Sequence, residues 1–140
     1  MIDQPKYLTL AWGDLDVAEV SGPANNSKIV GYHGTTDGGE SPDEVSWCSS
    51  FVNAMVTWAG VRGTNSKAAR SWLAWGESCE PQYGAVCVLW RVDPKGWKGH
   101  VGFLVGEDSE HVYLLGGNQS NRVRVSRYPK SRVLGYRKAA

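Results

Sequence analysis

Apolar residues follow two different rhythms along the chain. From about Trp47 to Ala59, Phe51, Val52, Met55, Val56 and Ala59 recur at three- and four-residue steps, which predicts an amphipathic helix stopped by Gly60. A second stretch, Ser66 to Trp75, puts Ala69, Trp72 and Leu73 on one side and ends at Gly76. Beyond residue 84 the period changes. AVCVLWRV, HVGFLVGE, HVYLLGG, RVRVSRY and VLGY are short, rich in β-branched and aromatic residues, and separated by turn chemistry. Before the first helix, SGPANNS and GYHGTTDGGES are crowded with Gly, Asn, Ser and Pro, so residues 1–40 read as loop with little regular structure.

Helices at 46–76 followed by strands at 84–137, with no helix between the strands, indicate the α+β class: helices packed on one face of an antiparallel sheet of five to six strands. A length of 140 residues with 41% hydrophobic content suits one domain with one sizeable core. The opening stretch lacks a basic start and an apolar h-region, and no apolar run is long enough to span a bilayer, so the expectation is a chain that starts in the cytoplasm without membrane insertion.

A net charge of +1 argues against a dedicated nucleic-acid binder. Its distribution is uneven. Residues 1–44 hold eight acids against Lys6 and Lys28, whereas residues 119–140 hold seven bases and no acid. The three cysteines, Cys48, Cys79 and Cys87, form neither a C-x-x-C pair nor a zinc-ligand spacing, and Asp14 and Asp16 lack the remaining ligands of a calcium loop. No metal and no cofactor is expected.

The segment GHVGFLVGEDSEHVYLLGGNQ reads as a hairpin turning over Glu107 to Glu110. A turn centred between Asp108 and Ser109 sets His100 opposite Gly117, and one centred on Ser109 sets it opposite Asn118. Directly opposed Cβ atoms lie about 5 Å apart, so the Asn118 carboxamide would accept a hydrogen bond from one imidazole nitrogen and leave the other free. A cysteine nucleophile needs such a partner, because an unperturbed thiol is mostly protonated at neutral pH. His33 reads as surface or locally bonded, and His111 lies at the turn end of the hairpin.

Cys48 shares the apolar stripe of its helix, where a buried structural thiol is the ordinary outcome. In the first helical turn, however, the dipole and unpaired N–H groups would favour a thiolate. Ser46 as N-cap puts it there. Ser41, Pro42, Asp43 and Glu44 form a rival capping box that would carry Cys48 into the second turn, and the residues alone do not choose. Cys87 lies within an apolar strand and Cys79 in a loop, both read as structural.

EVSWCSSFVNAMVTWAG, ARSWLAWG, GHVGFLVGED and YLLGGNQSNRVRVSRYPKSRVLGYR together resemble the CHAP group, the cysteine, histidine-dependent amidohydrolases and peptidases related to NlpC-type and papain-like enzymes. The resemblance runs from about Ser41 to Arg137 and includes several small phage endolysins. It implies a Cys-His-Asn triad carried onto Cys48, His100 and Asn118, with Cys48 opening a central helix, which favours the Ser46 cap. Glu44 and Trp47 are secondary candidates for tuning the site or lining a substrate groove. The glutamine that supplies the second oxyanion donor upstream of the cysteine in papain-like enzymes has no counterpart here. The implied activity is hydrolysis of a peptide or amide bond of bacterial peptidoglycan, as endopeptidase or N-acetylmuramoyl-L-alanine amidase, by a monomer released across the inner membrane to reach the wall. The competing classes are a non-catalytic wall-binding or virion module on the same scaffold, and a toxin or effector thiol hydrolase.

Overall fold

Residues 4–20, 25–41 and 46–140 are described in the computed structural model. The predicted central helix forms as α3, Cys48–Trp58, and every residue from Cys48 to Val56 is buried. A helix buried all round must satisfy its polar side chains inside the protein. Ser49 Oγ donates to the Ser66 carbonyl and accepts from Trp72 Nε1, while Asn53 Nδ2 donates to the Thr35 carbonyl and its Oδ1 accepts from Asn65 N–H. These bonds tie the flanking loops to the helix.

The N-terminal region departs from the loop-rich expectation. It contains α1, Lys6–Gly13, and α2, Ser27–Gly34. Each has only eight residues, too short to hold itself in water, so tertiary packing decides. Tyr7, Leu8 and Ala11 form the buried face of α1; Ile29, Tyr32 and His33 form that of α2, which Asn26 caps through its side chain to Lys28 N–H. Tyr32 lies within ring contact of Trp47, Phe51 and Trp58, and Asp14 joins the two helices by accepting from Tyr32 Oη and Lys28 Nζ, both at 2.6 Å. His33 is fully buried rather than at the surface, with Nδ1 2.7 Å from Ser50 Oγ. The helical stretch expected over Ser66 to Trp75 forms as a 3₁₀ segment, Ala69–Ala74, whose three-residue period sets Ala69 and Trp72 one above the other against the core.

Among the described residues six antiparallel strands complete the α+β fold: β1 Glu77–Ser78, β2 Val86–Trp90, β3 Gly99–Glu107, β4 His111–Gln119, β5 Arg122–Pro129 and β6 Val133–Lys138. Their order across the sheet is β1-β6-β2-β3-β4-β5. Val86, Val88, Val101, Phe103 and Leu115 face the helices, while Cys87, Leu89, Leu104, Val112 and Leu114 build a second cluster on the other face. Tyr128 from β5 and Val133 and Tyr136 from β6 pack against that same cluster although three strands separate β5 from β6, so the sheet is curled. No helix of the described residues is long and apolar enough to cross a membrane.

Candidate active site

Trp47, not Ser46 or Ser41, occupies the N-cap position of α3, with no side-chain cap bond, and Cys48 is the first helical residue. What fixes this helix start is packing. The Trp47 indole is fully buried, stacks on Tyr32, and donates through Nε1 to Glu19 Oε2 at 2.9 Å. On its sheet side it fills the space over Gly117, where an added Cβ would stand 2.7 Å from the indole and from the Phe51 Cβ. Trp47 is therefore an anchor for the nucleophile's position and lines no groove. Glu44 lies outside the described residues.

The sulfur of Cys48 sits where backbone donors converge. The N–H groups of Ser49 and Val101 and the His100 ring all hydrogen-bond to it. Burial pushes this thiol up, but the neighbouring imidazolium and these donors outweigh burial, and its pKa is held below the ordinary thiol value. The other two thiols shift the opposite way. Burial raises Cys87 to about 12, and burial also raises Cys79. One cysteine of three is prepared to ionise.

His100 enters from the second position of β3, opposite Leu89 of β2. Its orienting partner differs from the sequence expectation. The β3–β4 ladder keeps Phe103 opposite Leu115, a register that continued unbroken would bring Asn118 to His100. Instead the β4–β5 ladder slips between Gly116 and Gln119, and Asn118 adopts a left-handed φ of 58°. A break of this kind reverses which face each following residue presents. Asn118 turns its Nδ2 toward Ser46 Oγ, 3.3 Å away, and Gln119 takes the position beside the ring, Oε1 lying 2.8 Å from His100 Nε2. The adjacent carboxamides after two glycines were the available signal: an Asn that tolerates positive φ at the end of a glycine pair marks a place where strict alternation fails.

Gln119 also determines the tautomer. Its Nε2 donates to two backbone carbonyls, Leu114 at 3.1 Å and Arg124. Carbonyls only accept, so the amide orientation is fixed and Oε1 must face the ring as an acceptor. His100 Nε2 therefore carries a proton, and Nδ1 is the nitrogen left for Cys48. Tyr128 Oη donates to the same Oε1 at 3.0 Å and lies 3.3 Å from His100 Nε2, with the two rings tilted at a centroid distance of 5.1 Å. Burial, before the nearby Cys48 charge, raises the Tyr128 phenol to about 12, so it remains a neutral donor. Gly116 makes room for this array, since a Cβ there would meet Gln119 Oε1 at 2.7 Å.

The site opens into two adjoining hollows. One, of about 400 Å³, is lined by Cys48, His100, Asn118, Tyr128 and Arg132. The other, of about 260 Å³, runs past Ala69 and Gly99 to Trp97 and Lys98. Ser46, Cys48 and Arg91 belong to both, so the nucleophile lies where they meet. A larger hollow of about 490 Å³ near Val61, Trp75 and Ala139 holds no cysteine or histidine and is no rival for this chemistry. The Cys48 N–H, at the first helical position, has no carbonyl one turn earlier within the helix and can face a developing oxyanion. Among the described residues no group of three or more His, Cys, Asp or Glu side chains stands close enough to hold a metal ion.

No family model matches the sequence, and no curated protein matches it. Solved structures do match in shape. A similar-to-lipoprotein protein of the NLP/P60 family from Staphylococcus aureus subsp. aureus Mu50 superposes with a TM-score of 0.54 at 14% identity, covering 100% of this chain and 43% of its own. This chain thus spans less than half the length of that protein. At such identity the likeness is one of fold, and it relates the helix-on-sheet arrangement here to the NLP/P60 fold.

Proposed function

We propose that the protein is a cysteine hydrolase that cuts a peptide or amide bond of bacterial peptidoglycan, acting as an endolysin of the small phage type. The observation that carries this reading is the unbroken array from Cys48 through His100 to Gln119 and Tyr128, in which a thiol held low meets an imidazole whose second nitrogen is already bonded. The NLP/P60-like fold and the resemblance to wall hydrolases in the segments around Cys48 and His100 support the substrate class.

In this reading Cys48 and His100 are the catalytic residues; Gln119 and Tyr128 are positioning residues that act through the ring. The thiolate attacks the amide carbonyl carbon, forming a C–S bond while the carbonyl π electrons move onto oxygen beside the Cys48 N–H. The tetrahedral intermediate collapses by breaking the C–N bond, and the imidazolium gives its Nδ1 proton to the leaving amine. Neutral His100 then takes a proton from water, whose oxygen displaces the sulfur and releases a carboxylic acid. Throughout, Nε2–H stays bonded to Gln119, so the ring changes charge without changing orientation.

The test is clearing of purified peptidoglycan by the wild type and by Cys48→Ala, with mass spectrometry of the released fragments. Loss of clearing in the variant, with new amino groups in the fragments, is the expected result; equal clearing removes Cys48 as nucleophile. New amines on stem-peptide residues identify an endopeptidase, and free lactyl groups with released L-alanine termini identify an amidase.

A further inference from the structure

The basic side chains of the C-terminal half have no role in the array described above, yet some of them reach the same opening. Arg91, Lys98 and Arg132 line the two hollows that meet at Cys48, and no carboxylate among the described residues lines either one. Nor does any carboxylate of the described residues form a salt bridge with these three side chains. Lys67, a fourth cation in the lining, is different: its ammonium donates to Thr36 Oγ1 and to the carbonyls of Asp37 and Gly39, so it holds a loop in place. Arg132 is partly fixed, donating through Nε to the Trp90 carbonyl and lying over the Trp90 and Tyr128 rings. Among the described residues no side-chain hydrogen bond or ion pair tethers Arg91 in this way. Its backbone is held by the bond from its N–H to the Lys98 carbonyl, and its side chain is exposed at the junction of the two hollows.

The loop that follows Arg91 is built to stay in one shape while showing apolar surface. Arg70 clamps it, donating to the carbonyls of Asp93, Pro94 and Lys98 at 2.7 to 2.9 Å. Val92 sits at a φ of 70°, an unfavourable conformation for a β-branched residue, closed by a bond from Asp93 N–H to the Arg91 carbonyl. Despite this rigidity, Trp97 is 78% exposed and Val92 82% exposed, so neither side chain contributes to the core. An indole held at the mouth of a hollow that leads to the nucleophile, with Lys98 beside it, is a contact surface prepared in advance.

We propose that this groove selects peptide substrates bearing a free carboxylate next to the scissile amide, with the carboxylate bound by Arg91 and the adjoining apolar part of the substrate laid against Trp97. The proposal rests on the reading of Cys48 as nucleophile and adds the substrate's chemical class to it. Arg91 is suited to the role because its planar guanidinium can donate to both oxygens of a carboxylate, and because a cleft lined by one sign of charge concentrates its potential at the mouth. Arg132 and Lys98 extend the field to either side.

Two measurements on the intact chain separate the groove from the nucleophile. The first compares alkylation of Cys48 by iodoacetate, an anion, and by iodoacetamide, its neutral counterpart. The imidazolium of His100 favours the anion equally in every variant, so the readout is the change in the rate ratio on mutation. Arg91→Gln is expected to lower the iodoacetate-to-iodoacetamide ratio by about two- to fivefold at low salt, the order expected for one exposed charge lining the same hollow, and Arg91→Lys is expected to retain most of it. An unchanged ratio in Arg91→Gln, or an equal loss in Arg91→Lys, overturns the charge-based assignment. The second measures kcat/KM for two synthetic stem peptides that differ only in a free carboxylate or a primary carboxamide on the residue next to the scissile amide. The wild type is expected to prefer the carboxylate by about tenfold, mainly through KM, and Arg91→Gln to reduce the preference toward parity. Equal values in the wild type overturn the substrate assignment. Hydrolysis surviving in Cys48→Ala would instead remove the nucleophile, whereas a dead Cys48→Ala beside an indifferent Arg91→Gln would remove this proposal alone.

Discussion

Replacing Gln119 by alanine removes a side chain that makes four contacts at once. His100 Nε2–H loses its acceptor at 2.8 Å, Tyr128 Oη loses one at 3.0 Å, and the carbonyls of Leu114 and Arg124 lose their donor. Gln119 is buried, so water does not replace it freely. A hydrogen bond to a charged partner contributes about 1.5–3 kcal/mol, and this acceptor matters most when the ring is an imidazolium, so kcat/KM is expected to fall by roughly 10- to 100-fold. Loss of these bonds and of the buried side chain should lower stability by about 1–3 kcal/mol in the same variant. Thermal unfolding therefore accompanies the kinetics, and activity is compared well below the unfolding midpoint. A purely structural role predicts loss of stability with an unchanged pH dependence. A positioning role predicts that the thiolate, deprived of a well-held imidazolium, forms at higher pH, so the acid limb of Cys48 alkylation by iodoacetamide moves upward. Asn118→Gly, which keeps the left-handed φ of 58° accessible and loses, among the described residues, the 3.3 Å bond to Ser46, should leave that limb in place. If Asn118→Gly shifts the limb and abolishes turnover while Gln119→Ala does neither, the assignment of Gln119 is refuted.

Tyr128→Phe keeps the ring against His100 but removes the hydroxyl that supports Gln119 Oε1, and a decrease of less than about tenfold in kcat/KM is expected, read from peptidoglycan clearing. Gly117→Ala inserts a Cβ 2.7 Å from both the Trp47 ring and the Phe51 Cβ, and should destabilise by about 1–3 kcal/mol in urea unfolding while slowing alkylation of Cys48, because the helix start must shift. Cys87, raised from 9.0 to about 12 by burial, ionises more readily in the unfolded chain; its contribution to stability is therefore intact below pH 9 and lost as pH rises toward 12. Cys87→Ala should accordingly show a shallower fall in stability between pH 8 and pH 11 than the wild type, by about 2–3 kcal/mol at pH 11, measured by urea unfolding at both values.

The central helix, the class of fold and the β3–β4 hairpin were legible in the sequence, because each depends on a repeating pattern or a short-range register. The pairing of Cys48 with His100 came from the resemblance to the CHAP group, since Cys48 taken alone reads equally as a buried structural thiol. Phe51, Val52, Met55 and Val56 declare a helix by their spacing, and the strands after residue 84 declare themselves by β-branched composition. The two N-terminal helices were not legible. Eight residues supply too few turns for a period to stand out, and their formation depends on Tyr32 and Leu8 finding the aromatic cluster around Trp47 and Phe51. Trp47, a secondary candidate for a groove residue beside the nucleophile, is instead fully buried, the core role that most tryptophans of a small domain serve.

Which amide meets the imidazole was a tertiary decision. Sequence brings Asn118 and Gln119 to the end of β4 together, one residue apart, and alternation assigns the role to Asn118. A single left-handed residue reverses that choice, since in a strand of period two the smallest slip moves every later side chain to the opposite face. The slip is fixed by groups remote in sequence: the indole over Gly117, the Ser46 hydroxyl, and the Leu114 and Arg124 carbonyls that hold the Gln119 amide. Sequence alone thus determined the chemistry present at the site, and only the folded chain, through these long-range contacts, decided which side chain performs each part of it.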